Sequence, residues 1–221
     1  MLFVPIQALV QDPAAEAKPV IRRVFRKKET DLYSVSFDSE GPAGKAHYDY
    51  QIRFFAERPV PESTDTKVQA TFLNLRGHIE DMTIPGRKIF GMATYQFPET
   101  GWPPELSLGG EQGPFLAPLL SWYLPLNAVA VGSEFRVPDR IINENIHING
   151  SGVLAAMDKS KATIKLVLGF YLKNNTDGSV KDAKSAFVST AVFDVKSGAL
   201  LNAEGTLNGF GGTMSFHLKK D

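Results

Sequence analysis

Met214, Phe216 and Leu218 alternate with Ser215, His217 and Lys219 near the end of the chain. A period of two residues predicts a strand with one buried and one wet face. In Ala199–Leu207 the odd positions are small or apolar, and from Asn202 onward the even ones are polar. Lys196-Ser197-Gly198 and Gly209-Phe210-Gly211-Gly212 interrupt these runs where glycine supplies the positive φ of a hairpin turn. Residues 185–219 are therefore expected to form three consecutive antiparallel strands.

Similar patterns precede them. Strands are expected at 20–26, at 32–38 with Tyr33, Val35 and Phe37 alternating, and at 46–56 around Tyr48, Tyr50, Ile52 and Phe54. Further strands are expected at 68–75, 88–97, 129–137, 141–154 and 162–172. Gly41–Gly44 and Asn174–Gly178 have the composition of turns, Pro59–Asp65 that of a loop, and a polar stretch with His78, Glu80 and Asp81 separates two of the strands. Between the two sets, residues 98–118 carry five prolines and four glycines, which suits neither a central strand nor a long helix. This segment leads into Phe115–Leu124, apolar all round, which predicts one short buried helix with Pro118 in its first turn.

The fold class is thus mainly β: an antiparallel curved sheet or half-barrel with one short apolar helix. Polar turns lead into aromatic-bearing strands at Arg26–Tyr33 and at Val129–Val137, which suggests a duplicated meander. Residues 1–19 are expected to be a leader. Residues 20–221 form one β-rich domain, with halves 20–97 and 124–221 joined by the Pro/Gly-rich segment.

Composition narrows function. The chain has 221 residues, 24 basic and 24 acidic, so no net field draws it to nucleic acid or anionic lipid. The basic run at Arg22, Arg23, Arg26, Lys27 and Lys28 is followed at once by Glu29 and Asp31, and reads as a solvated strand face and turn. With no cysteine, disulfides, thiol nucleophiles and cysteine-ligated metals are excluded. Met1–Val10 is mostly apolar and Ala15-Glu16-Ala17 follows as a small-x-small site. This reads as the tail of a signal peptide lacking its basic start, ahead of the alternative of an ordinary first strand, and places the protein outside the cytoplasm, secreted or periplasmic. No other stretch approaches a membrane span.

Candidate chemistry is sparse. His47, His78, His147 and His217 are isolated in sequence, and His78-Ile79-Glu80-Asp81 lacks a second half of any metal motif. Gly150-Ser151-Gly152 is not a nucleophile elbow, and the glycine runs at 109–113 and 209–212 lack the ending of a phosphate loop. Asn149-Gly150-Ser151 and Asn174-Asn175-Thr176 match a glycosylation sequon and otherwise read as turns. No catalytic residue, metal or cofactor is expected.

Aromatic residues are the remaining signal: Trp102, Phe115, Trp122 and Tyr123 cluster around the central segment. They predict a plug over the open face of a curved sheet or, second, a lid over an apolar ligand. Phe115, Leu116, Leu119, Leu120, Trp122 and Tyr123 are the candidate ligand-binding residues, facing inward residues such as Phe193 and Leu207.

Two segments carry a family resemblance. Leu124–Phe135 holds a proline and then Val129-Ala130-Val131-Gly132-Ser133-Glu134-Phe135; Phe193–Leu201 holds Phe193-Asp194-Val195-Lys196-Ser197-Gly198. Both resemble turn motifs of uncharacterised secreted bacterial β-rich domains. Their plan is similar to the half-barrels of periplasmic lipoprotein carriers. The resemblance covers about the C-terminal 100 residues and brings no catalytic residues. It implies a non-enzymatic secreted or periplasmic binding or structural protein, partnered by a lipid, another apolar ligand or an envelope protein. Two alternatives remain: an envelope-associated hydrolase using His78, Glu80 and Asp81, and an accessory subunit that pairs through an exposed strand edge.

Overall fold

A computed structural model describes residues 20–26, 28–42, 44–59, 65–100, 113–143, 146–173, 179–209 and 211–221. Four strands come first: β1 (Thr30–Gly41), β2 (Gly44–Pro59), β3 (Thr66–Ile79) and β4 (Met82–Phe97). A helical turn α1 (Gly113–Leu116) runs directly into a 3-10 turn (Ala117–Ser121). Six strands follow: β5 (Glu134–Asn143), β6 (Ile146–Met157), β7 (Lys161–Lys173), β8 (Val180–Asp194), β9 (Leu200–Gly209) and β10 (Gly212–Lys220).

All ten strands belong to one antiparallel sheet in the order β4-β3-β2-β1-β10-β9-β8-β7-β6-β5. The first and last strands lie side by side, with Val35 opposite Leu218 and Phe37 opposite Phe216. Two meanders therefore spread outward from the middle, one of four strands and one of six, and β4 and β5 are the two edges. The three C-terminal strands pair consecutively as expected, with Phe187 opposite Leu207 and Met214 opposite Leu207.

Alternation fixes which face is inside. Tyr33, Val35 and Phe37 of β1, Ile52 and Phe54 of β2, and Ile164, Leu166 and Leu168 of β7 are all buried and belong to one core. The central segment crosses this inner face. Phe115 touches Phe37 and Tyr50, the 3-10 turn packs on β8, β9 and β10, and Tyr123 stacks on Phe135 of β5. Ten flat strands would span roughly 43 Å at the usual spacing. A few turns of chain reach strands near both edges only because the sheet curls round them, while β4 and β5 stay unpaired. The curved sheet and short apolar helix are thus found, with Pro118 near the start of the 3-10 turn.

Several boundaries differ from expectation. Residues 20–26 are not a strand. Their amide donors go to different elements, Arg23 N to Glu99 O at 2.7 Å and Val24 N to Ser197 O at 2.9 Å, so they form a strap rather than a ladder. Arg23 is 3% exposed, not part of a solvated run. β5 starts only at Glu134, because Val131 and Gly132 form a turn with Gly132 at φ 83°. The expected strand 141–154 is divided between β5, which ends at Asn143, and β6, which begins at Ile146. The polar stretch at His78 is a tight hairpin: β3 runs through His78, and only Glu80 and Asp81 make the turn. Asn149 of the first sequon lies within β6 rather than in a turn. Residues 1–19, Trp102 and Asn174–Gly178 lie outside the described residues.

Candidate functional site

The inner face is apolar almost throughout. Leu116, Leu119, Leu120, Trp122 and Tyr123 are buried in the core, and Phe115 is half-buried against it. Trp122 is the hub: its ring lies 5.7 Å from Tyr33, 5.4 Å from Phe54 and 5.2 Å from Phe97. Edge-to-face and tilted contacts of this kind add to area burial. Phe193 and Leu207 belong to the same core. The six candidate residues are thus brought together, packed against the sheet by their own side chains. Their segment is held at few polar points, one being the Tyr50 hydroxyl, which donates to Phe115 O at 2.8 Å.

Polar satisfaction inside is incomplete. Ser121 Oγ and Trp122 Nε1 are buried without a hydrogen-bond partner among the described residues. Such atoms are uncommon in folded proteins because each forgoes its bond to water. Burial raises the Tyr123 phenol pKa, and the nearby charge of Arg140 partly offsets this.

One end of the curl is closed by the strap. Arg22 Nη1 donates to Pro125 O at 2.8 Å, and Nη2 donates to Leu126 O. Beneath it the buried Arg23 guanidinium meets Asp31 at 2.7 Å and Glu29 at 3.2 Å, while Lys220 reaches Asp31 at 2.5 Å. Desolvation pushes the Glu29 carboxyl up, but the Arg26 amide and the Arg23 charge win, so its pKa is lowered. The guanidinium also lies 3.7 Å over the Phe25 ring. Nothing in the local pattern marks Asp31 as inward-facing, since an aspartate beside Thr30 reads as a turn residue.

The outer face carries the titratable groups. His78, Glu80 and Asp81 share a recess of about 450 Å³ with Asp38, Lys45 and His47. His47 Nδ1 lies 2.8 Å from Asp38 Oδ1 and Nε2 lies 3.2 Å from Asp49 Oδ2. Carboxylates only accept, so both contacts are full hydrogen bonds when the ring carries both protons. The Asp38 bond, the larger cause, and the Asp49 bond accordingly raise the His47 pKa against a lowering by burial. The His47 and His78 rings are 5.4 Å apart. Glu80 is committed to structure: its Oε1 accepts from Lys45 N at 2.7 Å and so ties the β3–β4 turn to β2. Among the described residues no group of three or more such side chains is placed to hold a metal ion. A second outer cluster joins Asp139, His147 and Tyr171: the Tyr171 hydroxyl donates to Asp139, and burial followed by that bond pushes its pKa up to about 12.

No family model and no curated protein matches the chain. Among solved structures it is similar to DynF from the dynemicin biosynthesis pathway of Micromonospora chersina, at TM-score 0.26 and 9% identity over 99% of this chain and 92% of that one. It is also similar to a putative outer membrane lipoprotein-sorting protein domain from Vibrio parahaemolyticus, at TM-score 0.25 and 7% identity over 89% and 85%. Likeness at this level carries no functional argument. No helix among the described residues is long and apolar enough to cross a membrane.

Proposed function

We propose that this chain is a non-enzymatic binding protein, secreted or periplasmic, that shelters a lipid or other apolar molecule on the inner face of its curled sheet. One observation supports this most: the apolar inner face of an unclosed sheet is covered by a segment that belongs to none of its strands. A ligand that displaces part of Phe115–Tyr123 exchanges one set of apolar contacts for another, so its net cost is small compared with opening a closed core. The charged outer face keeps the free protein soluble whether the interior is filled by the segment or by the ligand.

The test is uptake of a fluorescent fatty-acid probe. Wild type is expected to bind it. Trp122→Ala removes about 3–5 kcal/mol of core packing that the ligand otherwise displaces, so the variant binds more tightly while remaining folded. No uptake by either folded protein leaves the segment as a structural plug and ends this reading.

An envelope-associated hydrolase draws on the outer recess, where His78, Glu80 and Asp81 share a lining with His47. Loss of ester hydrolysis in His78→Ala would favour it. The accessory-subunit alternative called for an uncovered, uncharged edge. The edges are mixed: β4 presents Pro85, Arg87 and Lys88 but also the exposed Met82, Ile89 and Met92, and β5 presents Arg136, Pro138 and Asp139 beside the exposed Ile141.

A further inference from the structure

At the rim of the inner face stands a cation with no ion pair among the described residues. β5 is an edge strand, and its register with β6 slips between Val137 and Arg140. The bulge sits at Pro138-Asp139, where proline removes a ladder donor. Its effect is to re-aim the residues beyond it. Val137 is buried on the inner face opposite Gly150, and after the slip Arg140 stands opposite Ile148, which in turn stands opposite Phe170. Ile148 and Phe170 are both core residues. Cross-strand partners share a face, so Arg140 faces inward with them. Asp139, the neighbouring acid, goes to the outer face, where it accepts from Tyr171 and lies 3.4 Å from His147.

Arg140 is therefore a half-buried guanidinium on an apolar face, and its own bulge turns the adjacent Asp139 to the other face. It has no ion pair among the described residues. Its Nε is shielded from water and has no hydrogen-bond partner among the described residues. Leaving such a donor unanswered costs folding free energy, and buried arginines are ordinarily paired. The contrast within this chain lies in the ion pairs: the Nε of the buried Arg23 is also without a partner among the described residues, but its guanidinium meets two carboxylates. Arg140 also stands near Tyr123, whose predecessors Ser121 and Trp122 contribute the other unsatisfied polar atoms of the central segment.

We propose that Arg140 is the head-group anchor of the ligand site: the ligand is an acyl chain ending in an oxyanion, either a carboxylate or a phosphate, with the chain against the central segment and the head on the Arg140 guanidinium. This rests on the inner face being the binding site. A guanidinium fork matches both oxyanions, and a rim position lets the head stay partly hydrated while the chain is buried.

The experiment compares a dansyl-labelled fatty acid with its methyl ester on wild type, Arg140→Met and Arg140→Lys. Wild type is expected to bind the acid at least tenfold more tightly than the ester, the scale of a charged hydrogen bond. Arg140→Met loses that preference and binds the ester as wild type does; Arg140→Lys keeps part of it. Without ligand, Arg140→Met melts no lower than wild type, whereas a purely structural arginine would lower the melting temperature. Competition by palmitate and by lysophosphatidate then identifies which oxyanion is preferred. Equal binding of acid and ester by wild type overturns the anchor while leaving the apolar site intact. An acid preference that survives in Arg140→Met does the same. Failure of every probe on folded protein overturns both.

Discussion

His47 shows how a single residue on the wet face takes its properties from neighbours two strands wide. Asp38 lies across the β1–β2 pair from it and Asp49 two positions along its own strand, so both carboxylates reach the ring. The folded pKa is raised, and the sign of the linkage follows. The stabilisation is fully present below the ordinary histidine value of about 6.5 and is lost as pH rises through the elevated folded value. The contribution is small, because both carboxylates are mostly exposed. An NMR titration of the His47 ring should give a midpoint above that of the unfolded chain, and Asp38→Asn should lower it. A midpoint unchanged by Asp38→Asn would contradict the pairing.

At the scale of elements, the strap at residues 20–26 and the central segment are the two pieces that the sheet does not own. The strap is tied at both sides by backbone bonds and lies hard against Gly198 in the β8–β9 turn. Gly198 has φ 63°, and a Cβ there would sit 2.2 Å from Arg22 O. Gly198→Ala therefore both strains the turn and lifts the strap. The expected loss is about 1–3 kcal/mol in a urea melt, with faster hydrogen exchange at the Arg23 and Val24 amides. Unchanged exchange at those amides would mean that the strap is not held by this turn.

Legibility of the sequence also divides by element. Strands with one wet face announced themselves through alternation, as in β1, β7 and β10. The central segment was legible too, because a ten-residue run with no polar face has to be buried. What failed were features that alternation does not encode. Val20–Arg26 has apolar residues but bonds to two separate elements, which no local pattern records. Arg23 and Asp31 are charged yet buried, because each satisfies the other. Arg140 carries no such pattern either, since its inward direction depends on a bulge at Pro138-Asp139 that shifts the face by one residue. Proline inside a strand-like run was the signal available.

For the whole molecule, the order of strands makes the architecture distinctive: the first and last strands meet in the middle of the sheet, and residues 113–124, between its two edge strands in sequence, run through the interior. The proposed function requires that interior to be a place for an apolar guest. Native mass spectrometry of the protein purified from its source, before and after organic extraction, tests it most directly. The expected spectrum shows one lipid-sized adduct per chain that extraction removes. The bare chain mass in both spectra, from protein that is folded and takes up no added fatty acid, would contradict it.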